Sequence, residues 1–233
     1  VVNDEAAYQA SPKFEADRQF WHDLYADRTE PASLTPRADL TAHHYVTRPG
    51  ALPPGVDTAL ASMAARSSVA WPDILVALTA AYIERHTGGG ESIVGIASME
   101  RLGRPAARVP SMVMNILPAR IAIDQTAEMA VWLTATARRL QRMRRHGRYR
   151  GEQLRRDLGL AGAHRRLHGP LINVLPFDDG LAWPGLDSSV HLLGTGPVDD
   201  LTVTWRADGM GAGLRLELDA NPGLYNETDV ELH

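Results

Sequence analysis

The sequence has no cysteine among its 233 residues. This absence excludes disulfide bonds, a thiolate nucleophile and zinc bound by cysteine. Because a chain without disulfides fits a reducing compartment, we expect a cytoplasmic protein. Hydrophobic residues make up 44% and charged residues 22% of the chain, as in ordinary globular proteins, and its length allows one large domain or two small ones.

Long apolar runs are also missing. The best one, ILVALTAAYI from Ile74 to Ile83, is much shorter than the roughly 18 residues that a membrane-spanning helix needs. We therefore expect no membrane partner. The net charge of −4 argues against a general nucleic-acid-binding protein, so we expect no nucleic-acid partner either.

Lysine is almost absent, since Lys13 is the only one among 24 basic residues. The arginines concentrate between Arg138 and Arg166, where eleven of them stand against two acids, Glu152 and Asp157. Two interpretations stay open. The stretch is either the solvated side of a helix with its following loop, or a surface that recognises an acidic partner protein or a phosphate.

Hydrophobic periodicity predicts several helices. One or two helical turns and an amphipathic helix come first, and VDTALASMAARSS predicts another helix. The clearest is ILVALTAAYIERH, with Pro72 and Asp73 in its first turn, Ser67 or Ser68 as its cap and TGGG as its end. A later amphipathic helix precedes the short helix RGEQLRRDLG, and its predicted apolar face comprises Met129, Trp132, Leu133, Thr136, Leu140 and Met143.

Strands alternate with these helices and then dominate the last third of the chain. SIVGIASM predicts a strand, and SMVMNILPARIAI predicts a long one in which Pro118 requires an edge, a bulge or a break. GPLINVLPF, SSVHLLGTG, DDLTVTWRA and GLRLELDA predict four more. The pattern indicates a mixed α/β or α+β fold.

Two histidine pairs are candidates for chemistry, but each has a simpler interpretation. His43 and His44 have no neighbouring acid to orient a general base, so two strand residues on opposite faces are favoured. His164 and His168 have the spacing of helical metal ligands but lack an intervening glutamate and a third ligand. We therefore predict no metal site. The sequence also lacks a P-loop lysine and a serine elbow.

An Asn-x-Leu-Pro pattern occurs twice, in MVMNILPARI with Asn115 and in LINVLPFDDG with Asn173. An asparagine that ends a strand often pairs its amide with stray backbone groups, and a following proline suits a strand that breaks off. The residues alone favour this structural role over a substrate site for both asparagines.

The order of segments resembles the second half of condensation domains from nonribosomal peptide synthetases. MVMNILPAR is similar to the family's V-N-T-L-P-L-R motif, HGRYRGEQL to its H-Q-D-Y-P-F-E-x-L motif, and GPVDDLTV to its F-D-L strand. GPLINV keeps only two residues of the R-N-P-L motif. The matching positions are Asn115, Leu117, Pro118, Arg120, His146, Tyr149, Glu152, Leu154, Pro170, Leu171, Asp200 and Leu201.

The largest departure from the family is the missing H-H-x-x-x-D-G motif, whose second histidine is the family's catalytic residue. His43 and His44 lack the Asp-Gly of this motif. They also follow the amphipathic helix in YQASPKFEADRQFW, whereas the family's motif precedes the corresponding helix. The resemblance therefore implies that residues 1–233 are the C-terminal lobe alone, without a catalytic residue, and that the catalytic histidine lies upstream of Val1. The expected fold is chloramphenicol-acetyltransferase-like, that of CoA-dependent acyltransferases, with a mixed sheet and flanking helices.

The resemblance implies amide formation between two carrier-bound substrates, with this lobe as one wall of the tunnel between lobes. It implies no directly bound cofactor, because donor and acceptor carrier proteins bring 4'-phosphopantetheine. The missing lobe and an adenylation domain are the other expected partners. The implied substrate-positioning residues are Asn115, Arg120, Asp200, Thr202 and Thr204, the last two on a strand expected to cross toward the missing lobe. The implied carrier-protein surface comprises Arg138, Arg142, Arg145 and Arg148.

Within the family, the segments GPLINVLPFDD and LLGTGPVDDL are most similar to the enterobactin-synthase type, in which an aryl acid is joined to an amino acid. Two other functions stay open. One is a non-catalytic interaction lobe of a degenerate family member. The other is a same-fold enzyme that forms esters, epimerises, or transfers an acyl group to a free acceptor.

Overall fold

The structure, a computed structural model, describes residues 1–27, 29–101, 103–160, 166–176, 183, 185–186, 196–208 and 213–233. Its helices are α1 (Val2–Gln9), α2 (Pro12–Leu24), α3 (Val56–Ser67), α4 (Trp71–Thr87), α5 (Met129–Arg145), α6 (Gly151–Asp157) and α7 (Glu227–Leu232). Its strands are β1 (Val46–Gly50), β2 (Glu91–Ser98), β3 (Asn115–Ala122), β4 (Leu171–Leu175), β5 (Leu201–Asp208) and β6 (Gly213–Ala220). The strand predicted over SSVHLLGTG falls on residues 188–196, of which 188–195 lie outside the described residues.

The described strands form a six-stranded sheet in the order β1-β6-β5-β4-β2-β3. β4 runs parallel to β2 and β5, while the other neighbours are antiparallel, so the sheet is mixed as predicted. β5 pairs with β4 on one side and with β6 on the other. The prediction that β5 crosses toward a second lobe is therefore wrong, because its backbone hydrogen bonds hold it within this sheet.

β3 is an edge strand, and this position explains its proline. It pairs with β2 alone, and Pro118 stands opposite Gly95 in that ladder. A proline has no N–H to donate, so a central strand would lose a ladder hydrogen bond at this residue, whereas an edge strand has a free side. Of the three positions predicted for Pro118, an edge, a bulge or a break, the structure shows the edge.

α4 forms the centre of the core. Ile74, Val76 and Ala80 are buried, and the helix contacts β2, α3 and α5. Its side chains are apolar nearly all round because neighbours cover most of its surface. Gly88 ends the helix with a φ of 75°, a backbone conformation that glycine adopts at little cost.

Two details of the helix predictions are wrong. Ala70 precedes α4 as its N-cap, while Ser68 instead ends α3 with a φ of 53°. The serines are too far from Trp71, the first residue of α4, to cap it. Met129 is 49% exposed because it is the first residue of α5 and extends past the helices that cover the apolar face. The other predicted residues of that face are buried.

Candidate functional site

Asn115 begins β3 and is buried, and its amide reaches a segment more than thirty residues away. Its Nδ2 donates to the carbonyl oxygens of Gly147 and Tyr149 at 2.7 and 2.8 Å. Its Oδ1 accepts from the backbone N–H of Gly151 at 3.1 Å. The side chain therefore ties the start of β3 to the connection between α5 and α6, which we call the α5–α6 loop (residues 146–150).

The α5–α6 loop is also held by α2. The indole Nε1 of Trp21 donates to the carbonyl of His146 at 2.9 Å, and Nζ of Lys13 donates to the carbonyl of Arg145 at 2.8 Å. Arg150 donates back to the carbonyl of Met114, just before β3. These bonds satisfy polar groups that a tight loop leaves open, so they fix its backbone.

The contacts of Asn115 join the two motifs on which the resemblance rested, since one contains Asn115 and the other contains the α5–α6 loop. Sequence reasoning singled out both segments but did not predict that they meet. Both N–H groups of the Asn115 amide donate to this loop, so the described structure shows a positioning contact. Its role toward a substrate stays a prediction.

The outer face of β3 and of the residues before it is apolar and exposed. Met112, Met114 and Ile116 are 84%, 46% and 39% exposed, whereas Val113 and Leu117 on the other face are at most 5% exposed. The alternation follows from the two-residue period of an extended chain. We call Met112, Met114 and Ile116 the outer strip. Exposed apolar side chains that follow one another along a strand mark a surface that another layer covers.

Arg120 lies further along β3 and ties it to two neighbours. Its guanidinium donates to the Glu91 carboxylate on β2, to the Asp27 carboxylate at 2.8 and 2.9 Å, and to the carbonyl of Leu24 at the end of α2. Hydrogen bonding to Arg120 is the main cause that lowers the pKa of Asp27. Arg120 thus buttresses the strand, and its role toward a substrate stays a prediction.

Asp200 is buried just before β5 and accepts hydrogen bonds from three side chains. Tyr225 and Ser33 donate to Oδ1 at 2.6 and 3.0 Å, and Arg166 donates to Oδ2 at 2.8 Å. Burial nevertheless raises the pKa of Asp200 above its ordinary value. The network joins the segment before β1 to the end of β6, and positioning of substrate by Asp200 stays a prediction.

The raised pKa of Asp200 gives a pH dependence with a definite sign. Between the ordinary pKa of an aspartate and the raised one, the unfolded chain has lost this proton while the folded chain keeps it, so stability falls as pH rises. We expect the free energy of unfolding of wild type, relative to Asp200→Asn, to fall from pH 4 toward neutrality and then to level off. Urea denaturation at several pH values measures this difference. A difference that grew with pH would contradict the assignment.

Thr202 and Thr204 lie on the face of β5 opposite to Val203, which packs in the core. Both threonines are buried, and Oγ1 of Thr204 has no hydrogen-bond partner among the described residues. In the ladder Thr204 stands between Asn173 on β4 and Glu217 on β6. Burial raises the pKa of Glu217, with Asp219 as a smaller cause. This polar row is the place where the predicted residues of β5 meet other polar groups.

The four arginines of the predicted carrier-protein surface have different surroundings. Arg138 and Arg145 are exposed and have no ion pair within the part of the chain that the structure describes. The guanidinium of Arg142 lies 5.3 Å from the centre of the Phe20 ring. Arg148 is half-buried, donates to Asp4 at 2.8 Å and stacks over Tyr8. The surface is therefore partly solvated and partly built into the contact between α1 and α5.

The remaining candidates lie apart from this site. The prediction that His43 and His44 are strand residues is wrong: both are exposed and precede β1. His164 lies outside the described residues, while His168 is half-buried and desolvation lowers the pKa of its imidazole. Among the described ranges, no three histidine, aspartate or glutamate residues are grouped as a metal site would require. No described helix has the length and apolar character to cross a membrane.

Comparisons with known proteins match this arrangement. The family model described as Condensation domain matches residues 1–179. The dimodular nonribosomal peptide synthase of Bacillus subtilis (strain 168) is 39% identical over 233 residues, which cover 100% of this chain and 10% of that protein. The isonitrile lipopeptide synthase of Streptomyces coeruleorubidus is 40% identical over 230 residues, which cover 99% of this chain and 16% of that protein. Enterobactin synthase component F of Escherichia coli O157:H7 is 33% identical over 236 residues, which cover 100% of this chain and 18% of that protein.

Solved structures give the same result for the fold. The first condensation domain of the CDA synthetase superposes with a TM-score of 0.88 at 31% identity, over 99% of this chain and 51% of that one. VibH, a condensation enzyme, superposes with a TM-score of 0.81 at 26% identity, over 100% of this chain and 54% of that one. The fold is thus of the chloramphenicol-acetyltransferase-like class. The chain belongs to the condensation domain family, and it spans about half of these solved chains and less than a fifth of the curated relatives.

Proposed function

We propose that residues 1–233 form the C-terminal lobe of a condensation domain in a nonribosomal peptide synthetase. In the proposed reaction, the amine of an acceptor on one carrier protein attacks the carbonyl carbon of a donor thioester on another. A C–N bond forms and the C–S bond breaks, while the donor carrier's thiol leaves with the proton that the amine loses. The product is an amide that stays on the acceptor carrier.

The observation that carries this proposal is the outer strip on the strand of Asn115. Met112, Met114 and Ile116 are apolar and exposed, whereas Val113, Asn115 and Leu117 on the opposite face are buried. A strand of this kind is covered by a second layer in the working protein. The other lobe of a complete domain would supply that layer, and the substrate tunnel would lie between the two.

The predicted residues would act in this tunnel by position. Asn115 would hold the α5–α6 loop in place, Arg120 would anchor β3, and Asp200 would set the start of β5, where the buried Thr202 and Thr204 would hold the strand behind the tunnel wall. The acid–base histidine would come from the other lobe. Holding two reactants in register can supply about 7–11 kcal/mol of a barrier, so positioning alone is a substantial contribution.

The proposed partners are a donor and an acceptor carrier protein, each with a phosphopantetheine arm, and a neighbouring adenylation domain of the same synthetase. The chain itself would hold no cofactor. Arg138, Arg142 and Arg145 would contact acidic residues of a carrier, because exposed arginines steer association with an acidic surface.

The test of this function is an assay of the complete domain with two loaded carriers, scored by intact mass of the acceptor carrier. We expect the mass of the amide product in the complete domain and no product from residues 1–233 alone. Product from the 233-residue chain alone would contradict the assignment of a single lobe. An ester or an epimerised product would contradict amide formation.

The outer strip provides variants for the same assay. Met114→Glu places a charge on the surface where the second layer would pack, so turnover of the complete domain should fall at least about tenfold. Val131→Glu is the matched control, because Val131 is 60% exposed on α5, away from the strip. Equal turnover for both variants would show that the strip lies outside the working site.

A further inference from the structure

His168 lies just before β4, on the face of the sheet that carries the outer strip. A Cβ added at Gly95 of β2 would come within 2.7 Å of its Cε1 and Nδ1 atoms, so the imidazole ring rests directly on this glycine. Gly95 stands opposite Pro118 in the ladder, and Ile116 of the outer strip is two residues from Pro118 along β3. Opposite residues of a ladder, and residues two apart on a strand, project from the same face. The ring and the outer strip therefore face the same way.

The backbone next to His168 is held in place by its neighbours. The N–H of Gly169 donates to the carbonyl of Ile93 on β2 at 2.9 Å. A Cβ at Gly169 would lie 2.2 Å from the carbonyl oxygen of Ala32, so the segment before β1 also approaches this backbone closely. The imidazole is thus placed by a rigid frame, which a group that contacts a substrate requires.

The hydrogen bond of His168 fixes its tautomer. Nδ1 lies 2.8 Å from the carbonyl oxygen of Gly169, and a carbonyl oxygen can only accept, so Nδ1 carries the proton. Nε2 of the neutral ring is then an acceptor. It has no hydrogen-bond partner among the described residues, yet it is not closed off from solvent as Oγ1 of Thr204 is.

The charge state of His168 follows from its surroundings. Desolvation is the largest cause and lowers the pKa of the imidazole below its ordinary value. The hydrogen bond to Gly169 and the carboxylates of Asp199 and Asp200 oppose this shift, while the guanidinium of Arg166 adds to it. The ring is therefore neutral at neutral pH and presents a lone pair at Nε2.

We infer that Nε2 of His168 binds the amine of the acceptor substrate by accepting a hydrogen bond from its N–H. The inference rests on the proposed function. Of the two groups that react in amide formation, the thioester carbonyl offers only an acceptor oxygen, whereas the amine offers N–H donors, so an unprotonated ring nitrogen selects the amine. No proton is transferred in this contact. The hydrogen bond orients the nitrogen toward the donor carbonyl, and the bond changes stay those of the proposed reaction.

Two substitutions separate the acceptor atom of His168 from the rest of the ring. His168→Asn keeps an amide near the position of Nδ1 but no acceptor near that of Nε2, whereas His168→Gln extends its amide to that position. In the complete domain, His168→Asn should lower kcat/KM for the acceptor carrier at least about tenfold and leave the KM for the donor carrier unchanged, and His168→Gln should recover most of the loss. His44→Asn is the control, since His44 is exposed before β1. Equal kcat/KM values in wild type and His168→Asn would overturn the inference.

An acceptor without an amine tests the contact itself. A carrier loaded with the matching acid that lacks its amino group should inhibit wild type and His168→Asn equally, because it has no N–H for Nε2. The aminoacyl carrier should bind His168→Asn about tenfold more weakly than wild type. Equal weakening of both carriers would overturn the inference, because it would assign His168 to another part of the acceptor or to the fold. Comparing two ligands in one variant keeps the result independent of a loss of stability, which urea denaturation of the complete domain measures.

Gly95→Ala moves the ring without changing its chemistry, because the new Cβ would meet the ring at 2.7 Å. It should lower kcat/KM for the acceptor carrier as His168→Asn does. The double variant should lose little more than either single one, since both changes remove the same contact. Additive losses in the double variant would overturn the inference.

The outcome for His168 is separable from the outcome for the proposed function. Amide product in wild type, together with unchanged acceptor kinetics in His168→Asn and Gly95→Ala, would reject the contact and leave the function standing. Absence of any amide product from the complete wild-type domain would reject the function itself.

Discussion

Replacing Asn115 by alanine should lower the free energy of unfolding by about 3–4 kcal/mol, because the change leaves three backbone groups of the α5–α6 loop and the start of α6 without a partner. The carbonyls of Gly147 and Tyr149 and the N–H of Gly151 all bond to this one side chain. Condensation by the complete domain should fall with it, since the loop and the outer strip share the start of β3. Urea denaturation and the carrier assay measure the two effects.

The variant Asn115→Asp sharpens the test. It keeps an acceptor for the N–H of Gly151 but turns a carboxylate oxygen toward two carbonyl oxygens, so it should be at least as destabilising as alanine. Asn3→Ala is the control, because Asn3 is exposed on α1 and should change stability by less than about 0.5 kcal/mol. Unchanged stability of Asn115→Ala together with lost turnover would contradict the structural role and assign a direct substrate contact.

Replacing Asp17 by alanine should have a comparable or larger effect on stability, about 3–5 kcal/mol. The carboxylate is 0% exposed and joins Tyr8, Lys13 and His146, so it connects α1, α2 and the α5–α6 loop. Without it the hydroxyl of Tyr8 loses its acceptor in a buried site, and Lys13 and His146 lose the carboxylate that accepts their hydrogen bonds.

Two further variants check this interpretation. Asp17→Asn retains an acceptor oxygen and should recover part of the loss, while Asp23→Ala on the exposed side of α2 should be nearly neutral. Denaturation by urea reports each difference. If Asp17→Ala were as stable as Asp23→Ala, the buried network would have no role in joining α2 to the loop.

Local structure was largely predictable because it depends on neighbours in the sequence. The apolar face of α5, the glycine end of α4 and the restriction of Pro118 to an edge, a bulge or a break each follow from a few adjacent residues. The errors arose where the chemistry of adjacent residues is compatible with more than one structure. Ser68 has the chemistry of an N-cap, but the helix starts at Trp71, and the chain alone does not show which helix a nearby serine ends or begins.

The candidate site was less predictable. Its residues could be listed from their motifs, but their contacts could not. Asp200 has partners 25 to 167 positions away, and Arg120 has partners 29 to 96 positions away. No periodicity relates residues at such distances. The arginine-rich stretch gave no sign that Lys13 and Arg104 lie beside Arg144, Arg145 and Arg148, because only folding brings these residues together.

By itself the sequence determined the order of helices and strands, the absence of cysteine chemistry and the motifs of the condensation family. The resemblance to the family motif singled out Asn115 and not Asn173, although both share the same four-residue pattern. Tertiary structure shows which groups each of them contacts. Asn115 stands on an edge strand whose start faces the α5–α6 loop, so its amide bonds to backbone 32 to 36 positions away. Asn173 lies on β4 inside the sheet, in a row with Thr204. Local pattern is the same in both places, and only packing decides which groups a side chain meets.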